Sequence, residues 1–497
     1  MSVVSDMQPI NLVWLKRDLR LQDHAPLTHA AKAGLPTLIC YCFEPSLLRD
    51  PHLHESHQRF IVQSLTDLST QLKQFELRLN VFWCDMVTLL ETLHQQFFIK
   101  HIYSHEEIGV ASTFARDKAV ESWCHQHQVK WQEFPQFAVQ RGQFGRKGWS
   151  KFADDFFDQA LVQPQLHKLK CLTLPPEHPV QQLKCKQLPS RWLQPNSYYQ
   201  SGGESQAQQR LDTFIQSALP NYCFHISKPD TSRLFSSRLS AYLAYGNLSL
   251  RTVLHRLKEH PSSRHRSAFY SRMRWHCHFV QKFESDCRIE FEPLNPAYTR
   301  LLSQHQQSLN PSQQQEYFEA WATGQTGYPL IDACMRSLLR TGFVNFRMRS
   351  MLVSVACHHL QLDWKQVALH LAQHFLDFEP GIHYPQIQMQ AGLTGFNTLR
   401  IYNPIQQSLK QDAQANFISE YVPELNDFPL ELKHQPWLIT PMEVQMFSDL
   451  PEVYAKPLFD LTETGRSARE RLWAWRNSPE VKASVPKLLR NQVSVNG

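Results

Sequence analysis

The first 134 residues alternate short apolar runs with amphipathic stretches, and that alternation restricts the folds open to this chain more than any other feature. Apolar runs at 11–15, 37–43, 79–84, 101–104 and 130–134 read as buried strands. The segments 59–75 and 86–98 between them place apolar residues at helical spacing. Strand and helix in strict alternation predict a doubly wound parallel sheet with helices on its faces. From 135 to 209 the pattern stops: a basic run, RGQFGRKGWSKF, gives way to recurring Pro and Gln, the composition of a connector. Beyond residue 211 helical spacing returns at 240–245, 248–257, 268–282 and 330–360. The expected architecture is an α/β domain over 1–134, an interdomain linker over 135–209 and a larger all-helical domain over 210–497.

Composition excludes several classes. With 42% hydrophobic and 19% charged residues and a mean hydropathy of -0.42, the chain can bury a large core and is neither disordered nor fibrous. A net charge of +6 and a pI near 8.7 permit an anionic partner without requiring one. The 11 cysteines are scattered with no CxxC pair, which argues against a disulfide scaffold, a zinc module or an iron-sulfur run, so no metal is expected. No apolar run approaches the ~20 residues that span a bilayer, and no leader pattern opens the chain. A cytoplasmic monomer that does not enter membranes is expected.

Only 16 of 497 residues are glycine, and none forms a Gly-x-Gly-x-x-Gly loop after a strand or a Walker loop. Gly142, Gly145 and Gly148 fall in the basic run, where a surface loop is the simpler reading. A nucleotide would have to be held in the helical part. There, Ser236 and Ser237 precede the apolar run LSAYLAYG, a pattern for an N-cap whose free N–H groups could take a pyrophosphate, or for an ordinary capped helix. A second constellation runs through 324–336, 341–349 and 362–364. It contains Arg347 and Arg349, costly to bury unpaired, with Asp377 and Glu379 as available partners. A structural ion pair and a functional one are equally open on these residues alone.

The opening VWLKRDLRLQDH at 13–24 resembles the first strand of the photolyase/cryptochrome family. The segments 236–246, 326–336, 362–364 and 400–404 resemble later parts of the same family, in order and spacing from end to end. The resemblance implies FAD held folded in the helical domain, with a second, antenna chromophore of unknown identity in the α/β domain. Tyr222, Ser236, Ser237, Arg238, Leu239 and Ser240 would hold the phosphate region. Phe346 and Arg349 would line the flavin, Arg349 would pair with Asp377, and Glu379 would contact the flavin or adenine side. The positive Arg349 would favour an anionic reduced flavin. In repairing members, light drives one electron from reduced flavin into a pyrimidine dimer flipped out of DNA. Trp275 matches the aromatic on which the dimer stacks, and Arg347 and Arg400 match basic positions beside the DNA strand.

Departures from the family pattern bear on activity. Arg272 stands where dimer-repairing members carry a glutamate one turn before Trp275, which weakens the cyclobutane-dimer reading. His383 stands where many repair enzymes have asparagine beside the flavin's reactive nitrogen; a histidine there could titrate near neutral pH or be a satisfied core residue. Trp364 matches one member of the electron-transferring tryptophan chain. Ile387 replaces another, and the stretch 303–315 has no tryptophan for the third. Photoreduction would need another route, for which Trp275, Trp321, Tyr384 and Tyr402 are available. The residues Glu106 and Glu107 match the folate-antenna segment only in part. The expected function is light-driven repair of pyrimidine dimers in single- or double-stranded DNA, with Trp275, His383 and Arg272 at the reaction centre. A blue-light receptor signalling through flavin redox state is the alternative, and a dark flavoprotein is disfavoured because nothing resembles a nicotinamide site.

Overall fold

A computed structural model of the chain describes residues 7–143, 148–447 and 450–492. The centre of the basic run, including Gly145, lies outside them; Gly142 and Gly148 on either side both have positive φ.

Six parallel strands form one sheet: β1 (Gln8–Leu15), β2 (Pro36–Cys42), β3 (Leu79–Phe82), β4 (Phe97–His105), β5 (Lys130–Phe134) and β6 (Lys170–Cys171). The path runs β3-β2-β1-β4-β5, with β6 beside the start of β2. Alternation along β1 is the cause of the two-sided packing. Ile10, Leu12 and Trp14 enter one core with the helices Met86–His94 and Ala111–Gln126. Val13 and Leu15 enter the other, with the helices Ala25–Ala33 and Glu55–Lys73, and that core runs on into the helical domain.

Two expectations at element boundaries are corrected. The helix read over 86–98 ends at His94, and Phe97 and Phe98 open β4, where Phe97 and Ile99 are buried on the pleat. The helix read over 330–360 is broken at Gly342, whose φ of 69° ends the helix Pro329–Thr341 in a left-handed cap. The described part of the segment 135–209 is anchored at several points, with exposed stretches between them. The helix Trp149–Asp158 buries Trp149, Phe156 and Phe157, β6 joins the sheet, and Trp192 stacks near Phe43 and Trp83.

The α/β and helical domains meet at the C-terminal end of β1. Leu19 N–H donates to the Tyr245 carbonyl (3.2 Å), Arg20 to the Gly246 carbonyl (3.0 Å) and the Asn247 amide to the Leu19 carbonyl (2.9 Å). Gly246 has a φ of 67°, and a Cβ there would overlap the Arg17 carbonyl and lie 2.5 Å from Asp18 Cα. Beside this seam Arg17 approaches Glu379 (3.9 Å) and donates to the Phe378 carbonyl (2.6 Å). Burial pushes the Glu379 carboxyl up to about 7 against the opposing pull of Arg17.

Two outcomes follow from the seam. Gly246→Ala combines left-handed strain of ~1–2 kcal/mol with overlap of ~1–3 kcal/mol, so urea denaturation should show a loss of about 3 kcal/mol. A glutamate whose folded pKa is raised adds its stability in full below its unfolded value and loses it as pH rises through the folded one. For Glu379 that window runs from about 4.5 to about 7. Glu379→Gln should therefore lessen the fall in stability between pH 4.5 and 8, by an amount on the order of 2 kcal/mol, read by denaturant melts at both pH values.

Candidate functional site

The helix Pro380–Gln390 is the centre of the helical domain. The helices Arg264–Ser285, Phe346–Ser354 and Trp364–His374 pack against it, bringing Trp275, Arg349 and His383 onto neighbouring elements. Close approach of the first is permitted by Gly381, where a Cβ would sit 2.8 Å from Val280 Cα.

The segment 236–240 is not the capped helix start that its serines predict. Ser236 ends the helix Pro229–Phe235, its N–H bonded to the Ser232 carbonyl at 2.9 Å. The five-residue helix Ser240–Ala244 has Leu239 at its N-cap position and no side-chain cap. Between them Arg238 adopts a φ of 55°, a conformation that an arginine holds only where its surroundings enforce it. Gln200 donates to the Arg238 carbonyl (2.8 Å), Arg210 donates to the carbonyls of Ser236 (2.6 Å) and Ser237 (2.9 Å), and the Arg238 guanidinium lies 3.7 Å from the Phe343 ring. Competition from these contacts, invisible in a local pattern, overrides the N-cap.

Positive charge accumulates here. Arg210, Arg233 and Arg238 line one cleft with Gln200, Tyr198 and Tyr242, and none of its described lining residues is acidic. Burial first, then Arg233, Arg210 and Arg349, lower the Arg238 pKa to about 9, with Asp377 opposing. Ser236 Oγ and Arg238 Nη1 are buried without a protein partner. Tyr222 is buried against Phe214 and Phe269, and burial pushes its phenol up to about 12 against the opposing pull of Arg272.

Arg349 donates to Asp377 Oδ2 (2.9 Å) and to the Val344 carbonyl (2.9 Å), with its guanidinium 4.0 Å from the Phe375 ring. Burial would raise the Asp377 carboxyl, but Arg349, a hydrogen bond from Ser240 and Arg238 hold it below the ordinary carboxylate range. Its Oδ1 has no protein partner. Glu379, two residues on, points the other way, to Arg17 at the seam.

His383 is buried among Phe375, Phe378 and Tyr384 and its Nε2 is 2.9 Å from the Ala368 carbonyl, to which it donates. Burial pushes its pKa down to about 3, so the imidazole is neutral, in keeping with the satisfied-core alternative rather than with titration near neutral pH. Trp364 is buried at the start of its helix and Ile387 is buried on the central helix. Trp275 and Phe346 are about half exposed, Arg272 and Arg400 are exposed, and Arg347 keeps a buried Nε without a partner.

Sequence reading missed Arg210 and Gln200, which come from remote segments and carry no local motif, and it gave no role to Arg17 and Phe343 although both fall within segments it singled out. It also missed a buried group, Asp18, His24 and His105, whose donor atoms lie close enough for a metal. His24 Nδ1 accepts the Leu27 N–H, and its Nε2 lies 3.2 Å from Asp18 Oδ2 without making a hydrogen bond; His105 Nδ1 is hydrogen-bonded to the same carboxylate oxygen at 2.7 Å.

A second cavity lies outside the carboxyl ends of β1, β2 and β4, at the point where the strand order reverses. It is lined by Arg17, Glu44, His52, Glu107, Arg116 and Tyr245, among others.

Comparison with known proteins matches these parts to families. The model of the DNA photolyase domain covers residues 11–141, and that of the FAD binding domain of DNA photolyase covers 269–474. The chain is 26% identical to the cryptochrome DASH of Synechocystis sp. over 93% of its length and 97% of that protein's. It is 25% identical to the deoxyribodipyrimidine photo-lyase of Alkalihalophilus pseudofirmus over 92% and 97% respectively. In fold it is similar to a bacterial class III photolyase from Agrobacterium tumefaciens, with a TM-score of 0.82, 23% identity and coverage of 96% of this chain and 100% of that one. An archaeal photolyase from Sulfolobus tokodaii, described with two FAD molecules, has a TM-score of 0.77 at 21% identity, over 94% of this chain and 100% of that one. With both domain models matched in chain order on a doubly wound sheet followed by a helical body, the chain belongs to the photolyase/cryptochrome family and carries its FAD-binding domain.

Proposed function

We propose that this protein is a light-driven lyase that reverses pyrimidine dimers in DNA, with FAD held between the loop 236–240 and the Arg349–Asp377 pair. The residues fit that cofactor: Ser236 Oγ, Arg238 Nη1 and Asp377 Oδ1 are buried polar atoms without protein partners, and the surrounding guanidiniums are short of counter-charge. Reduced and photo-excited FAD supplies the electron that opens the dimer. Ser236, Ser237, Arg238, Leu239 and Ser240 bind the diphosphate, with Tyr222 beside them. Asp377 neutralises Arg349 and fixes its guanidinium, while neutral His383 donates its proton to Ala368 and leaves no charge of its own beside the ring. The interdomain cavity is the place for a second, antenna chromophore.

The observation that carries the reading is the half-exposed Trp275 and Phe346, on helices that pack against the helix of His383, with Arg347 and the exposed Arg400 nearby in the same domain. Exposed aromatics let a flipped base stack, and arginines on phosphates add affinity without sequence preference. Arg272 and the absent tryptophans favour the second reading, a cryptochrome-like receptor.

The test gives photoreduced protein cyclobutane and (6-4) lesions in single- and double-stranded DNA under blue light. Restored pyrimidines in at least one substrate are expected; none in any substrate, with flavin bound, overturns the reading in favour of the receptor. Arg347→Gln and Arg400→Gln should each weaken DNA binding and lower the salt-dependence slope by about 1, by fluorescence anisotropy. Arg272→Glu should raise cyclobutane-dimer repair several-fold, about 1 kcal/mol of added stabilisation, if the family's carboxylate contact is restored.

A further inference from the structure

Tyr384 follows His383 on the helix Pro380–Gln390 and is 3% exposed. Its phenolic oxygen is hydrogen-bonded to Nε2 of His52, a residue of the α/β domain. His52 Nδ1 lies 2.6 Å from Asp50 Oδ1, and Asp50 Oδ2 accepts from Ser112 Oγ at 2.5 Å. His52 and Ser112 hold the Asp50 carboxyl below its ordinary range despite burial, so it is ionised and can only accept. The imidazole proton is therefore on Nδ1, and bare Nε2 accepts the phenolic O–H. Stacking on Phe378, with centroids 5.3 Å apart and planes 6° from parallel, locks the His52 ring in that orientation.

A buried tyrosine needs one hydrogen-bond acceptor, and a backbone carbonyl serves. Tyr384 has a base instead, supplied across the domain seam and oriented by a carboxylate: the arrangement that activates a proton donor. Its ring meets that of His383 edge-on, with centroids 5.4 Å apart. The groups that face it are His52, His383, Asp50 and Glu290; burial first, then Glu290 and Asp50, push the phenol above its usual pKa. Neither a phenolate nor a cation radical is tolerated in such a place, so oxidation requires the proton to leave with the electron. Trp321, another buried aromatic, has no such outlet: its indole N–H donates to the Leu352 carbonyl at 3.2 Å.

We propose that Tyr384 is a redox-active tyrosine that gives one electron to the photo-excited, oxidised flavin while its phenolic proton passes to His52 Nε2. Tyr384 becomes a neutral tyrosyl radical, His52 becomes an imidazolium paired with Asp50, and the flavin ends one electron reduced. A thiol from solution then refills the site. Its thiolate gives one electron to Tyr384 and leaves as a thiyl radical, and His52 returns the proton. This supplies the reducing path that Ile387 and the tryptophan-free stretch 303–315 cannot provide. The inference rests on flavin binding beside Arg349 and His383, as proposed above.

The test illuminates the oxidised, FAD-loaded protein with a thiol present, following flavin reduction by absorbance and radicals by EPR after freezing. A neutral tyrosyl signal and a slower rate in D2O are expected for the unmodified chain. Tyr384→Phe should abolish that signal and slow photoreduction at least tenfold with flavin content unchanged. His52→Gln should slow it similarly and remove the solvent isotope effect, and Asp50→Asn should slow it less. If a variant fails to fold, 3,5-difluorotyrosine incorporated in place of Tyr384 must alter the hyperfine pattern of the radical. A tryptophanyl signal in the unmodified chain, an unaltered pattern with the fluorinated residue, or Tyr384→Phe reducing its flavin at the unmodified rate overturns the proposal. Those outcomes leave the flavin site intact, whereas a protein that takes up no FAD overturns both readings.

Discussion

The close approach of two backbones at the C-terminal end of β1 is the constraint on which the rest of the molecule depends. Arg17 and Asp18 lie against Gly246, and Leu19 and Arg20 exchange hydrogen bonds with the segment 245–247. Only a residue without a Cβ, in a left-handed conformation, allows that contact. It aligns the carboxyl edge of the sheet with the central helix of the FAD-binding domain. The interdomain cavity, the Arg17–Glu379 contact and the His52–Tyr384 hydrogen bond all lie beside it. A sheet edge where strand order reverses is a natural place for a ligand, and here the second wall of that place is a different domain.

Within the helical domain the organising term is a surplus of positive charge. Arg349 is matched by Asp377, but Arg210, Arg233 and Arg238 share a cleft with no acidic residue among its described lining. Burial first, then the like charges of Arg233, Arg210 and Arg349, lower the Arg238 pKa, which is a destabilising arrangement unless an anion completes it. The left-handed Arg238 backbone adds strain at the same point. Strain and uncompensated charge at one loop are what a site built for a diphosphate would show, in keeping with the FAD binding proposed above.

The chemistry proposed for the seam depends on a partner choice made in three dimensions. Tyr384 and His383 are adjacent in sequence, yet burial makes His383 a neutral donor to a carbonyl while Tyr384 faces a base from another domain. Two neighbouring side chains thus acquire opposite roles, one inert to pH and one able to release its proton.

The continuous apolar run of β1, buried on both faces, and helical spacing after residue 211 were legible because they are local: the pleat and the helix turn map directly onto residue order. The strand-helix alternation therefore determined a doubly wound domain followed by a helical one, and end-to-end motifs determined the family and the pairing expected of Arg349 with Asp377. Boundaries were less legible where side-chain preference and strand pairing compete, as at Phe97, or where a glycine ends a helix inside an apolar run, as at Gly342. The loop 236–240 read as a capped helix because serines ahead of apolar residues favour one; contacts from Gln200, Arg210 and Phe343 decided otherwise. The state of His383, the turning of Glu379 toward Arg17 and the joining of Asp50, His52 and Tyr384 were decided by tertiary structure alone. Each depends on burial or on a partner hundreds of residues away, and neither quantity has any signature in the order of residues.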